Sequence, residues 1–315
     1  KRGHFQSFIK LGIGGAAGIG SLVYALLRCA EFLGEDALLA DAEALAKTIT
    51  PELIEQDESL DVIAGSAGAI LGLVPLYQVT KSEQVLKIAN ACGQHLLMKH
   101  VDVQTGGRAW PTIDGKLLAG FSHGAAGISY ALLKLYQVTG DKKYLSAAED
   151  AITYEGDLYD PQVCNWPDLR VDEGFMTSWC HGAPGIALAR LGSLSDLDNE
   201  DIRNDIHNGL KTTLDAVHAA TDGQQDHLCC GHFGRAEILF TAGQLLGNKE
   251  YTKAALNFAS ALVSQARQDG GYNLLHGLPP DIPQPGFFNG LAGIGYTCLR
   301  FAQFDNSLPA MLLWE

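Results

Sequence analysis

Three cysteines in two short glycine-containing blocks offer the chemistry of a metal-bound thiolate site. Cys180 lies in the block at 178–182, and Cys229 and Cys230 lie in the block at 228–232. Zinc in a catalytic site takes three protein ligands, often Cys or His, and keeps its fourth position open. The two blocks therefore predict a zinc ion held by these three thiolates. The competing interpretation is two buried structural cysteines and a third that lies nearby through coincidence.

Two histidines and a tryptophan lie beside these cysteines in the sequence. His181 follows Cys180 directly, and His232 lies two residues beyond Cys230. Either histidine could be a zinc ligand, but three thiolates already suffice, so we expect His181, His232 and Trp179 to face the substrate. If His232 closed the fourth position, the protein would instead be a thiol- or peptide-binding module with a structural zinc.

An open zinc site with soft ligands suits the activation of a substrate thiol. A free thiol has a pKa of about 8.5, so only a few per cent of it is thiolate at neutral pH. Coordination to a metal removes this proton outright. Three anionic ligands also push electron density onto the metal and keep the bound sulfur nucleophilic. We therefore expect thiol addition or alkylation rather than hydrolysis by a zinc-bound water.

Two further reactive side chains precede other glycine-rich segments. Asp61 lies shortly before Gly65, and His123 lies directly before Gly124. Addition of a thiol to an activated alkene needs a proton donor to the developing enolate, and a histidine suits that work. We expect a catalytic role for both residues. The alternatives are a helix N-cap for Asp61 and a structural hydrogen bond for His123.

Glycine-rich segments of one kind recur along the chain with a period near 50 residues. The six segments are 11–19, 63–70, 122–128, 180–186, 230–235 and 289–294. Fixed-period self-similarity indicates stacked supersecondary units. Each segment leads into an apolar helix that is nearly uncharged, and a more charged helix follows. Because an apolar helix is usually buried and a helix with a polar face lies outside, the pattern predicts an all-α fold, an α/α toroid of helical hairpins.

Composition narrows the class of protein. The chain has 315 residues and a net charge of −14 with no basic run, which argues against nucleic-acid binding. No apolar run approaches the length of a membrane span. Seven cysteines, an odd number, do not indicate a disulfide framework. We therefore expect a reduced, cytoplasmic protein.

These blocks, taken together, resemble the lanthionine synthetase C-like cyclases. The motifs that carry the resemblance are Trp179 to Gly185, Cys229 to Gly231, Ser122 to Gly127, Gly14 to Leu26, Leu60 to Ile63, Asn165 to Arg170, Gly290 to Tyr296 and Leu308 to Ala310. They cover essentially the whole chain. They are similar to the C-terminal cyclase domain of a class II, or LanM-type, lanthipeptide synthetase, with residues 1–315 forming that domain.

The resemblance implies an activity, a metal and a partner. The activity is addition of Cys thiols to dehydroalanine or dehydrobutyrine in a dehydrated precursor peptide, which forms lanthionine or methyllanthionine thioether rings. The family's zinc ligands fall on Cys180, Cys229 and Cys230, and its Asp and His fall on Asp61 and His123. Many members have Cys-His-Gly where this chain has Cys-Cys-Gly, so the chain resembles the subgroup with three thiolate ligands.

The chain departs from the family pattern in two ways. The family domain usually has seven repeats, and this sequence shows six, so we expect the absent hairpin to precede Lys1. Full class II enzymes also carry an N-terminal dehydratase domain, and nothing here resembles one. We expect such a domain as a partner in the full-length enzyme.

Two other enzyme classes use related sites. Protein prenyl transfer also activates a thiol on zinc within an α/α toroid, but it needs a basic pocket for diphosphate, and no clustered Lys or Arg lines the helix starts. A glycosidase would need two carboxylates at the site, and only Asp61 lies at a repeat start.

Overall fold

The computed structural model describes residues 11–172, 174–219, 224–274, 282, 284–303 and 308–315. Within these residues, helices dominate, and a two-stranded antiparallel ribbon joins Val101–Asp102 (β1) to Arg108–Ala109 (β2). The α-helices are α1 (Ile19–Leu33), α2 (Asp36–Ala46), α3 (Pro51–Glu55), α4 (Ser66–Thr80), α5 (Glu83–Lys99), α6 (Ala125–Thr139), α7 (Lys142–Gly156), α8 (Ala183–Leu191), α9 (Glu200–His218), α10 (His232–Leu245), α11 (Lys249–Asp269) and α12 (Leu291–Ala302). None of these described helices combines the length and apolar character needed to cross a bilayer.

Each of the six glycine-rich segments contains a glycine N-cap, and an apolar helix begins at the next residue. The capping glycines are Gly18, Gly65, Gly124, Gly182, Gly231 and Gly290. A helix start leaves backbone N–H groups without intrahelical partners. The repeat therefore presents a series of such starts, each preceded by a short loop that can carry a reactive side chain.

The chain divides into two compact units, residues 1–98 and 99–315. In the first unit, α1 packs against α2 and α4. Gly72 of α4 approaches Gly20 of α1 so closely that an added Cβ would lie 2.4 Å from the Gly20 oxygen. The start of α4 is held by Asp57, whose carboxylate accepts hydrogen bonds from Ser66 N at 2.7 Å and Ser66 Oγ at 2.6 Å.

The second unit consists of successive hairpins, α6 with α7, α8 with α9 and α10 with α11, followed by α12. Every residue of α8 is buried, whereas α9 buries mainly one apolar face that includes Ile202, Ile206 and Leu210. This contrast matches the predicted inner and outer helices, and we keep those names for α6, α8, α10 and α12 and for α7, α9 and α11. The inner helices α6 and α8, α8 and α10, and α10 and α12 pack against each other.

The segment 308–315 packs inside the second unit. Leu312, Leu313 and Trp314 are buried, and the Tyr130 hydroxyl of α6 donates to the Leu313 oxygen at 2.9 Å. Glu315 forms an ion pair with Lys134 of the same helix. The segment thereby fixes aromatic side chains beneath the loops that precede α6 and α8.

Candidate metal centre and active site

The three cysteines predicted as ligands lie together at the starts of α8 and α10. The sulfur atoms of Cys180 and Cys229 are in direct contact, with Cα atoms 6.1 Å apart. Cys230 Sγ lies 3.2 Å from Cys180 Sγ and 3.6 Å from Cys229 Sγ. These three residues form a group of sulfur ligands able to hold a metal ion. We refer to Cys180, Cys229 and Cys230 as the thiol cluster.

The thiol cluster fits zinc in ligand type, and the two sulfur–sulfur separations that Cys230 makes are near those of a zinc site. Zinc–sulfur bonds of about 2.3 Å in a tetrahedral site place sulfur atoms roughly 3.8 Å apart, close to the separations that Cys230 makes. A disulfide between Cys180 and Cys229 would account for two sulfurs only. The convergence of a third sulfur from the same loop as Cys229 favours a shared cation.

The Cys180 loop, residues 178–182, has a conformation that only glycine permits at its end. Gly182 has φ of 85°, and an added Cβ would lie 1.9 Å from the Met176 oxygen. The Asn165 side chain belongs to the insertion at 157–177, between α7 and this loop. It holds the loop because its Oδ1 accepts from Ala183 N at 2.7 Å and its Nδ2 donates to Met176 O at 3.1 Å. The start of α8 is thus fixed against a polar loop.

The His123 loop, residues 119–124, lies directly against the Cys180 loop. Ser122 N donates to Cys180 O at 3.3 Å. At Gly120, where φ is 102°, an added Cβ would lie 2.5 Å from the Cys180 oxygen. The Thr112 hydroxyl donates to the His123 oxygen at 2.7 Å. These backbone contacts bring His123 next to the loop that carries Cys180.

The His181 ring stacks on His123 and is buried. Their ring centroids are 5.8 Å apart, and His181 is 1% exposed. Burial, reinforced by the charge of Arg170, lowers the pKa of His181 to about 4. His181 is therefore neutral at neutral pH, and its Nε2 has no hydrogen-bond partner among the described residues.

Trp179 and His232, predicted to face the substrate, lie in packed surroundings. Trp179 has no exposed surface, and its ring contacts Phe121, Phe288 and Trp314 at centroid distances of 5.2, 5.2 and 6.2 Å. These positions favour a packing role for Trp179 beneath the two loops.

The His232 ring faces an outer helix. It is 4% exposed, its Nδ1 pairs with Asp226 Oδ1 at 3.0 Å, and its ring stands edge-on to Phe258 of α11. The three-sulfur group described above does not include His232.

Asp61 belongs to the first unit, residues 1–98. It is 3% exposed, and its Oδ1 accepts a hydrogen bond from Ala64 N at 2.8 Å. This bond closes the turn before α4. The N-cap of α4 is Gly65, so Asp61 is not the helix N-cap that the sequence offered as the alternative to a catalytic role.

Sequence reasoning did not assign roles to Asp168 and Arg170, which lie near the thiol cluster. The insertion turns back on itself, with a bridge from Pro167 to Phe175 and a bond from Asp168 N to Gly174 O at 2.9 Å. The signal in the sequence was the polar segment at 165–170, which precedes an inner helix and is one of the motifs of the family resemblance.

The charges around Cys230 act in both directions. Burial raises the pKa of the Cys230 thiol, whereas Arg170 and Arg235 favour its thiolate and Asp168 opposes it. The Arg170 side chain holds the pKa of Asp168 below its usual range. Two guanidinium groups therefore lie close enough to offset part of the negative charge of a thiolate cluster.

A family model described as lanthionine synthetase C-like protein matches residues 5–313. The chain belongs to the lanthionine synthetase C-like family. The lacticin 481/lactococcin biosynthesis protein LcnDR2 of Lactococcus lactis subsp. lactis is 25% identical over 282 residues, which cover 85% of this chain and 28% of that protein. The chain thus spans little more than a quarter of the length of this relative.

Solved structures show the same fold. Nisin cyclase matches with a TM-score of 0.69 at 18% identity, covering 96% of this chain and 80% of its own. An α-1,6-mannanase of Salegentibacter sp. HEL1_6 matches with a TM-score of 0.59 at 16% identity, covering 94% and 87%. The predicted all-α class, an α/α toroid of helical hairpins, is confirmed by the likeness to nisin cyclase.

A shared fold does not define a reaction, since this one also serves a mannanase. The family match separates the two cases. The sequence-based resemblance to the lanthionine synthetase C-like family is confirmed by this match.

Proposed function

We propose that this chain closes thioether rings in a dehydrated precursor peptide with the help of zinc. A Cys thiol of the peptide adds to dehydroalanine or dehydrobutyrine, which forms a carbon–sulfur bond at the β-carbon. The observation that carries the proposal is the convergence of three sulfurs at the starts of α8 and α10, with the His123 loop packed against the Cys180 loop. The zinc, when bound, lowers the pKa of the peptide thiol and presents it as a thiolate.

His123 is the proposed proton donor. Addition of the thiolate leaves negative charge on the dehydroamino acid as an enolate, and the α-carbon must then receive a proton. His123 is part-exposed, its backbone is held by Thr112, and its ring rests on a neutral His181. This arrangement supports proton transfer to the α-carbon, while the proton released by the peptide thiol leaves to solvent.

Asp61 is the second residue that we carry over from the family resemblance. Its buried carboxylate caps Ala64 N, and a role in positioning the reacting groups is compatible with that bond. We test this role by substitution together with His123.

We further propose that residues 1–315 act as one cyclase domain beside an N-terminal dehydratase domain. The relative from Lactococcus lactis is much longer than this chain, which covers 28% of it. A precursor peptide would be dehydrated first and cyclised second. We assign the reaction to the cytoplasm, where peptide thiols stay reduced.

Metal content and ring closure together test this function. The chain is purified under reducing conditions, its zinc is measured by mass spectrometry of the metal, and it is incubated with a dehydrated peptide that contains one Cys. We expect one zinc per chain and a product that no longer reacts with a thiol-capping reagent. The triple variant Cys180→Ala, Cys229→Ala, Cys230→Ala loses both. Full zinc in this variant would overturn the proposed site, and zinc without ring closure in the wild type would indicate a binding module.

Substitution of the proposed acid separates chemistry from metal binding. His123→Asn keeps the zinc and lowers the rate of ring closure by roughly 10²–10⁴-fold, the usual range for general acid–base groups. Asp61→Asn also slows turnover. Rates in both variants equal to the wild type, after subtraction of the uncatalysed reaction, would exclude these roles.

A further inference from the structure

Two arginines contact the residues that lead into the Cys180 loop, Arg170 through the Met176 sulfur and Arg235 through Thr177 O. Arg235 is buried and committed to the fold, because its Nη1 donates to Thr177 O at 3.2 Å and its Nη2 to Gln224 Oε1 at 2.8 Å. Arg170 differs, since 36% of its side chain is exposed. Of these two cations, only Arg170 is accessible to a peptide.

The Arg170 guanidinium is fixed along one edge and unpaired along the other. Its Nε donates to Asp168 Oδ1 at 2.9 Å and its Nη2 to Asp168 Oδ2 at 2.8 Å. The same Nη2 lies 2.9 Å from the Met176 sulfur. Its Nη1 has no hydrogen-bond partner among the residues that the structure describes. A bidentate carboxylate holds a guanidinium in a defined orientation, so Nη1 is a preoriented donor.

The support for this guanidinium is itself rigid. Asp168 is 5% exposed, and its backbone N–H bonds to Gly174 O in the folded-back insertion. The insertion ends in the Cys180 loop, which Asn165 fastens through Ala183 N. Arg170 is thereby tied to the loop that carries Cys180.

The reaction develops negative charge that a cation of this kind can stabilise. When a thiolate adds to the β-carbon of a dehydroamino acid, the electron pair moves onto the carbonyl oxygen of that residue. Donors aimed at an oxygen on which charge develops stabilise the transition state more than the ground state. None of the roles assigned to the thiol cluster or His123 supplies a donor to that oxygen.

We propose that Arg170 is a further catalytic residue, whose Nη1 donates a hydrogen bond to the carbonyl oxygen of the dehydroamino acid and stabilises the enolate, with Asp168 as its positioning residue. This inference rests on the proposed ring-closing function. It adds a recognition element for the α,β-unsaturated amide. A site built from the thiol cluster alone would lack that element.

The chain contains a matched control for a loss of charge. Arg203 makes the same two-point pair with Asp198, through Nε at 2.6 Å and Nη2 at 2.7 Å, on the outer helix α9. Its side chain is 66% exposed. Arg203→Ala removes the same charge and the same type of ion pair outside the site.

Ring closure is measured for the wild type and for Arg170→Ala, Arg170→Lys and Arg203→Ala, with zinc content and melting temperature recorded for each. We expect Arg170→Ala to lower kcat by roughly 10²–10³-fold, the effect of losing one such donor, with a small change in KM. Zinc content stays unchanged, and Arg203→Ala behaves like the wild type. Guanidinium added to the solution partly restores Arg170→Ala and does not restore His123→Asn. A kcat of Arg170→Ala within twofold of the wild type would overturn the proposal, as would a loss of zinc that accounts for the whole loss of rate.

A spectroscopic arm separates this inference from the proposed function. A peptide carrying dehydroalanine with a ¹³C-labelled carbonyl, and with Ser in place of Cys, cannot react. Bound to the wild type, its carbonyl infrared band moves to lower wavenumber because of the added hydrogen bond, and bound to Arg170→Ala the band stays near its value in water. An equal band position in both proteins overturns the role of Arg170. Absence of ring closure by the wild type on the Cys-containing peptide overturns the proposed function instead.

Discussion

The His123 loop and the Cys180 loop are each held by a side chain from outside the loop. The first is held by a charged carboxylate and the second by a neutral amide. Glu155 of α7 holds the first, since its Oε1 accepts from Gly120 N and Ala126 N, both at 2.9 Å. The neutral amide of Asn165 holds the second through Ala183 N at 2.7 Å and Met176 O at 3.1 Å. The His123 loop is thus held by hydrogen bonds to a carboxylate, and the Cys180 loop by hydrogen bonds to an amide.

This difference follows from the charge that each loop must tolerate. Glu155 has no exposed surface, and its Oε2 pairs with Arg190, itself 1% exposed, at 2.8 Å. Burial raises the pKa of Glu155, and Arg190 counteracts that effect. At the Cys180 loop, three sulfurs already bring negative charge when they bind a metal. A carboxylate there would add repulsion, whereas an amide satisfies the same backbone groups without charge.

Removal of the charged cap should have the largest effect. Glu155→Ala leaves Arg190 buried with only Asp205, at 3.1 Å, as a partner, and frees two buried backbone N–H groups. Loss of one partner of a buried ion pair costs about 3–5 kcal/mol, so we expect a decrease of this size in the free energy of unfolding. The measurement is urea denaturation followed by circular dichroism.

An exposed pair serves as the control for this experiment. Asp198→Ala breaks the surface pair with Arg203 and should change the free energy of unfolding by about 1 kcal/mol or less. A decrease below 1 kcal/mol in Glu155→Ala would show that the cap is not needed, and the contrast between the two loops would lose its energetic basis.

The reactive residues could be found from the sequence because they lie close to the glycine segments of four of the six repeats. Cys180 and His123 each occur within two residues of a helix-capping glycine, so the pattern places them at helix starts. The glycines themselves mark positions such as Gly182, where φ is 85°. Local sequence therefore predicts the helix starts and the thiol cluster.

The residues that hold these loops could not be found in the same way. Glu155 acts on backbone groups 29 and 35 residues earlier, and Asn165 acts 18 residues later. Nothing in the local pattern distinguishes Glu155 from any other glutamate of a polar outer helix. Its role depends on tertiary packing, as does the burial of Trp179 and His232 that the sequence placed toward the substrate.

Introduction of a charge at the Cys180 loop should have an intermediate effect. Asn165→Asp removes the Nδ2 donor to Met176 O, and loss of a buried hydrogen bond costs about 1–3 kcal/mol. Zinc binding to three thiols releases three protons and leaves a site of net charge −1. The added carboxylate opposes that change, so we expect weaker zinc binding that requires a higher pH. Competition with a chelator at several pH values measures this affinity.

Asn165→Ala is the uncharged comparison. It removes the Nδ2 bond to Met176 O, as Asn165→Asp does, and also the two bonds that Ala183 N and Trp166 N donate to Oδ1. Because it adds no charge, we expect its zinc affinity to lie between those of the wild type and Asn165→Asp. A zinc affinity of Asn165→Asp equal to or above that of Asn165→Ala would show that the added charge does not weaken zinc binding.

The smallest expected effect concerns a buried carboxylate that caps no loop. Glu237 of α10 pairs with Arg300 of α12 at 2.6 Å, and burial raises its pKa to about 7 despite that pair. A carboxyl group whose pKa is higher in the folded state stabilises the fold at low pH, and this contribution disappears as the pH rises from its usual value of 4.5 through about 7. One pKa unit corresponds to about 1.4 kcal/mol, so we expect the contribution of Glu237 to the free energy of unfolding to fall by about 1 kcal/mol between pH 6 and 7.

Urea denaturation at pH 5, 6, 7 and 8 should show this decline in the wild type and a flatter profile in Glu237→Gln. Parallel profiles would mean that Glu237 stays ionised throughout. Arg300 and the Thr241 hydroxyl would then compensate a buried carboxylate as well as Arg190 and two backbone N–H groups do for Glu155. Charge matching rather than capping would be what both sites share.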